Sequence, residues 1–130
     1  MSEFDFDAIM YPVNFVCHYR TKFEADALAE AKRRRMGIIA IKAMARQAWP
    51  AGADRSRYSK CWYEPINEPE LARLALSWTL AQGVSVMIPP GEEELLRLAL
   101  TVAPQCGELS AKELSRLEQL AGELQPIFRA

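Results

Sequence analysis

The sequence is poor in the residues that most often announce chemistry. It has one histidine, His18, and three cysteines, Cys17, Cys61 and Cys106, far apart and without a Cys-x-x-Cys pair. That set is too sparse for zinc spacing, and it predicts reduced thiols in a cytoplasmic protein. No apolar run approaches the ~18 residues of a membrane span, and MSEFDFDAIM opens with acids where a secretory leader carries bases. Neither a membrane partner nor secretion by a signal peptide is expected. There is no cationic excess either: 16 Lys and Arg stand against 17 Asp and Glu, a formal charge of −1. Nucleic acid, which usually needs a basic face to displace counterions, is thereby disfavoured as a partner.

What is present is a chain of 130 residues, half apolar and a quarter charged. That suffices for one domain burying roughly two thirds of its unfolded surface. Residues 8–13 (AIMYPV) read as a strand. Thr21 with Glu24 forms a capping-box signature for a helix over 22–36, with Phe23, Ala27, Leu28 and Ala31 inward, Arg33, Arg34 and Arg35 in its last turn, and Gly37 as left-handed cap. GIIAIK, 37–42, reads as a strand covered on both faces. Residues 43–66, with Pro50, Gly52 and Pro65 as breakers, read as a long functional loop or lid. Asn67 with Glu70 and Pro69 starts a helix that buries Leu71, Leu74, Ala75, Trp78 and Ala81 and ends at Gly83. The strand VSVMI comes next, then a helix over about 92–103. A last helix is announced by Ser110 and Glu113, with Leu109 and Leu114 as a staple and Leu114, Leu117, Leu120, Ala121 and Leu124 inward.

This order calls for right-handed crossovers and a parallel sheet of three strands. So small a sheet leaves edges bare, and as an arc of a barrel it leaves the interior face bare too. Either way material is missing: another copy of the chain, or the rest of a longer polypeptide.

Several residues carry a chemical reading beside a plain one. Lys42, ending a buried strand, suits a desolvated amine able to form a Schiff base, or an ion pair or ligand contact. Arg46, Trp49, Arg55, Arg57, Tyr58, Lys60, Trp62 and Tyr63 mix cations with rings; they suit a pocket wall or subunit contact better than single-stranded nucleic acid in so acidic a chain. Cys61 beside Lys60 reads as a packed thiol. His18, without a visible partner, reads as a loop or pocket residue. Glu92, Glu93 and Glu94 oppose the positive end of a helix dipole and would also repel phosphate, with Arg97 placed to pair with Glu93.

The series FDAIMYPVNF, KRRRMGIIAIKAMARQAWP, YSKCWYEP and ELARLALSWTLAQGVSVMIPPGEEELLRLAL resembles the carboxyl-terminal part of aldo/keto reductases, over nearly the whole chain. The resemblance implies an α/β fold forming half of a TIM barrel: strands six to eight with alternating helices, plus a carboxyl-terminal extra helix. It implies NADP as cofactor, held by Lys42, Ala43, Pro89, Pro90, Gly91 and Arg97. It implies a pocket for a small carbonyl substrate walled by Tyr11, Asn14, Arg46, Trp49 and Trp62. Met10 stands where many relatives have a Gln for the nicotinamide amide. The family's catalytic tetrad of Asp, Tyr, Lys and His lies on the first four strands, so no residue here inherits a catalytic role, and no metal ligand is implied. The isolated chain is therefore expected to be inactive. It is either the carboxyl-terminal part of an oxidoreductase, complemented by an amino-terminal half, or a noncatalytic half-barrel that self-associates and at most binds a ligand.

Overall fold

A computed structural model of the chain describes residues 4–129, and in it the β-branched run after Gly37 becomes the middle strand of a parallel sheet. The elements are β1 (Ala8–Pro12), α1 (Phe15–Thr21), α2 (Ala25–Arg33), β2 (Gly37–Ile41), β3 (Ala45–Ala48), β4 (Tyr63–Pro65), α3 (Pro69–Ala81), β5 (Val86–Met87), α4 (Glu93–Val102) and α5 (Ala111–Glu123). Short 3-10 turns lie at Ser56–Tyr58 and Ala103–Gln105. The main sheet has the order β1-β2-β5, all parallel, and it does not close into a barrel.

Parallel partners share a face, and alternate residues take opposite faces. Ile38 and Ala40, 2% and 0% exposed, join Leu28 and Ala31 of α2 and Leu74 and Ala75 of α3 in the core. The opposite face sets Met10, Ile39 and Val86 in one row. There Met10 is 56% and Val86 48% exposed and Ile39 and Ile41 of β2 are half-buried, so within this chain only one face of the strand over 37–42 is covered, not both as expected. Helices cover one face only, because every crossover packs on the same side. The outer edges of β1 and β5 have no strand partner among the described residues.

The segment 43–66, expected to be irregular, contains an antiparallel pair, β3 with β4, whose register shifts between Ala45 and Gln47. Ala-Arg-Gln-Ala has no β-branched residue and β4 contains Pro65, so neither strand signals itself locally. Glu64 holds the pair from one side, accepting from Arg46 at 3.0 Å and from Gln47 at 2.6 Å.

The helix expected over 22–36 is two helices. Lys22 adopts a left-handed conformation, φ 51°, and its N–H returns to His18 O to close α1. Thr21 does not cap α2; its hydroxyl donates back to Cys17 O at 2.9 Å. Glu24 is instead 1% exposed and bonded to His18 at 2.6 Å. The left-handed residue after α2 is Arg35, φ 56°, not Gly37, which opens β2. In α3 the flanking residue is Glu68 in place of Asn67, and Ala81 is exposed while Leu71, Leu74, Ala75 and Trp78 are buried. VSVMI contributes only Val86 and Met87 to the ladder, although the N–H groups of Ser85 and Ile88 still reach Ile38 O and Ala40 O.

The reciprocal cap of Ser110 and Glu113 forms as expected, and α5 buries Leu117, Ala121 and Leu124. Leu114, assigned inward, is 38% exposed. Arg73 above all, and then Ser110, draw the Glu113 pKa down from 4.5 to about 2. A depressed carboxylate contributes stability above its unfolded pKa, and the contribution is lost as pH falls through the folded value. Urea midpoints are therefore expected to drop between about pH 4.5 and 2, and Glu113→Gln to flatten that drop.

Candidate functional site

Parallel strands present their following loops at one end, and here the loops after β1, β2 and β5 gather with the β3–β4 pair. After β1, Asn14 is 1% exposed and spends its whole side chain on the backbone. Its Oδ1 accepts from Cys17 N at 3.0 Å and caps α1, while Nδ2 donates to Lys42 O at 3.0 Å and to Ala45 O at 2.7 Å. Asn14 thus ties the first loop to the second. After β2, Lys42 takes φ 67°, a left-handed conformation costing a non-glycine residue about 1 kcal/mol. The bend turns the chain out of β2 and into β3.

The Lys42 ammonium lies 4.9 Å from the ring centre of Tyr63 and 5.5 Å from that of Trp62. Such contacts hold a cation by the ring quadrupole. Trp62 is 52% exposed and meets Phe128 edge-on at 5.7 Å. Phe128 stacks on Phe23 at 4.8 Å, and Phe23 on Tyr11 at 5.6 Å. A row of rings therefore crosses the strand ends and terminates at Lys42. Beside it a cleft of about 120 Å³ is lined by Lys42, Lys60, Cys61, Tyr63, Pro90 and Gly91, among others. Burial, then the charge of Glu92, pushes the Cys61 thiol up, and burial raises the Tyr63 phenol strongly. Neither group is poised as a nucleophile at neutral pH.

The acids at the start of α4 have partners. Glu92 accepts from the Lys60 N–H at 2.7 Å, and Glu94 binds Arg57 and the Tyr58 hydroxyl. Glu93 pairs with Arg97 one turn on, at 2.6 Å. Two of the three carboxylates thus fasten the loop between β3 and β4 to the amino end of α4. Arg57 and Glu94 are more than half exposed, so the pair adds little to global stability. Its consequence is local: Glu94→Gln with Arg57→Ala is expected to hasten tryptic cleavage at Arg55 and Lys60 several-fold while leaving the melting temperature nearly unchanged.

Of the residues assigned to a cofactor, Lys42, Pro89, Pro90 and Gly91 line the one cleft. Ala43 is 2% exposed and borders a separate apolar cavity between β5, α3 and α4. Arg97 is exposed and taken by Glu93. Of those assigned to a substrate pocket, Tyr11 and Trp62 join the aromatic row. Trp49 donates its indole N–H to Cys61 O at 2.9 Å, Arg46 is bound to Glu64, and Asn14 is a buried tie. In the sequence Phe23 reads as a helix residue and Phe128 carries no signal at all, since one ring near a chain end has no periodicity to mark it. His18 does have a partner, the buried Glu24, hidden by its match to a capping box. Among the described residues no group of three or more His, Cys, Asp or Glu is arranged to hold a metal ion.

The NADP implied by the resemblance needs a surface for a flat ring and a place for phosphate. The half-exposed Trp62 ring beside Lys42 suits the ring. The amino end of α4 does not suit the phosphate, because the carboxylates of Glu92, Glu93 and Glu94 already occupy it, bound to the Lys60 N–H, Arg97 and Arg57. The residues present therefore do not fit the phosphate groups of that cofactor. Comparison with protein-family models, with curated proteins and with solved structures finds no match to this chain.

Proposed function

We propose that this chain is a half TIM barrel, the carboxyl-terminal part of an aldo/keto reductase-like oxidoreductase of small carbonyl compounds, which meets the ring of its NADP cofactor at Lys42 and Trp62 and leaves the phosphates to the rest of the barrel. In this reading it supplies the ring-binding and pocket-wall loops, and the catalytic residues come from strands outside this sequence. One observation carries the reading: an all-parallel sheet, covered by helices on one face only, gathers Lys42, Trp62, Tyr63, Pro90 and Gly91 at its strand ends. The reaction class rests on the motifs that resemble the family, and the residues gathered at the strand ends support it.

The test measures NADPH oxidation with 4-nitrobenzaldehyde, for the chain alone and mixed with a polypeptide carrying the first five strand-helix units of an aldo/keto reductase. The chain alone is expected to quench NADPH fluorescence weakly and to turn over nothing, and the mixture to oxidise NADPH in a way that Trp62→Ala diminishes. No quenching and no turnover in either sample would overturn the oxidoreductase reading. The second reading, a noncatalytic half-barrel, is favoured by the carboxylates at the start of α4, which hold a loop of the chain itself in place of a phosphate.

A further inference from the structure

We propose that the bare face of the parallel sheet is an interface for a second copy of this chain, related by a two-fold axis running along the strands, so that β1 of each copy lies beside β5 of the other. This rests on the half-barrel part of the proposed function and not on its oxidoreductase part. The face carries Met10, Ile39, Ile41, Val86 and Ile88, with no charged residue in its three strands. Met10, Val86 and Ile88 are 56%, 48% and 41% exposed, whereas Ile38 and Ala40 on the covered face are at 2% and 0%.

The apolar surface continues past the β5 edge. Before β1, Phe4 and Phe6 are also exposed, 65% and 53%, with rings 4.8 Å apart, though Phe6 lies beside Arg33, Arg34 and Arg35. Beyond β5, Leu96 and Leu100 of α4, 40% and 64% exposed, border an apolar cavity of about 170 Å³ together with Met87 and Ile88. Together these side chains expose on the order of several hundred Å², against roughly 800 Å² per partner in a standard stable interface. Pairing of the edges adds backbone area to that sum. A polar or charged ligand finds nothing to bind on this face.

The edges select the partner. A helix or loop from another protein would cover the face yet leave the outer N–H and C=O groups of β1 and β5 unpaired, an open template for association. A two-fold axis perpendicular to the strands would pair like edges in antiparallel fashion and use one edge per copy. The axis along the strands uses both edges of both copies, keeps every strand parallel, and turns the two bare faces toward a shared interior. Parallel strand-helix units satisfy faces and edges in one operation; a second copy supplies them for the isolated chain, as the amino-terminal half would in a complemented barrel.

The test is the mass of the purified chain by sedimentation and light scattering at micromolar concentration. A closed dimer of twice 14.7 kDa is expected. Met10→Lys and Val86→Lys are each expected to weaken it more than tenfold with helical circular dichroism unchanged, whereas Leu114→Lys, on an exposed position of α5, leaves it intact. Mixing Met10→Cys chains with Val86→Cys chains and adding a short bis-maleimide is expected to give 10–86 links by peptide mapping, a readout that does not depend on the lysine variants folding. A monomeric wild-type chain, a ladder of unlimited size, predominant 10–10 links, or a dimer indifferent to Met10→Lys would each overturn the proposal. A dimer that leaves NADPH fluorescence unquenched retains this inference and removes the oxidoreductase reading; a monomer that quenches it does the reverse.

Discussion

Replacing Asn14 by leucine is expected to lower the unfolding free energy by about 3 kcal/mol or more, the largest loss at any polar position of the chain. The volume hardly changes, so the cost is polar. Three hydrogen bonds disappear at once: the amide of Cys17 and the carbonyl of Ala45 lose a partner in the core, while the Lys42 carbonyl keeps the Ala45 N–H. An unsatisfied buried group costs about 1–3 kcal/mol, more than the bond itself is worth. Asn14→Asp separates the two roles. The carboxylate can still accept from Cys17 N, but it cannot donate to Lys42 O or Ala45 O, and it adds a buried charge facing two carbonyls. If Asn14 only capped α1, Asp would be nearly harmless; if it ties the two loops, Asp is as damaging as Leu. Urea denaturation of the three proteins distinguishes these outcomes, and Trp62 fluorescence reports whether the turn at Lys42 moves with them.

The second large effect is expected from His18→Ala, at about 2 kcal/mol. Glu24 is 1% exposed, its Oε1 is held by His18 Nδ1 at 2.6 Å, and its Oε2 has no hydrogen-bond partner. Removing the imidazole leaves a buried carboxylate without its partner, which is more damaging than losing the pair as a whole. The His18 side chain is 31% exposed, so water can enter and the cost falls below that of a fully buried pair. The double variant His18→Ala, Glu24→Leu is therefore expected to be more stable than His18→Ala alone. A thermodynamic cycle over the four proteins measures the coupling, and a double variant as unstable as the sum of the two singles would show that the pair is not coupled.

Both residues show what a linear reading can carry. Asn14 reads as a pocket residue because it comes after a strand that ends at the ligand-bearing end of a sheet. Its buried position depends on Lys42 and Ala45, whose carbonyls come within reach only when β1 and β2 pair. His18 reads as partnerless because Glu24 matches a local cap. The other pairing prevails in three dimensions, since Thr21 satisfies its hydroxyl within α1 and the left-handed Lys22 turns Glu24 inward. The acidic start of α4 divides in the same way. The repulsion of phosphate is legible from three adjacent glutamates, but the loop they fasten is not, because Arg57, Tyr58 and Lys60 lie far upstream in the chain.

By itself the sequence determined the α/β class, the three parallel strands, a helix begun at Pro69 and ended by Gly83, the Ser110 cap with Glu113, and the Glu93–Arg97 pair. All of these arise from periodicity, caps and contacts within one helical turn, which need no distant partner. Only the tertiary structure decided that the segment between β2 and α3 pairs with itself, that Asn14 is a tie, that Phe128 completes a row of rings from Tyr11 to Trp62, and that one face of the sheet stays bare. Those outcomes depend on contacts between residues far apart in the chain, whose loop-closure cost is met only when the whole domain assembles.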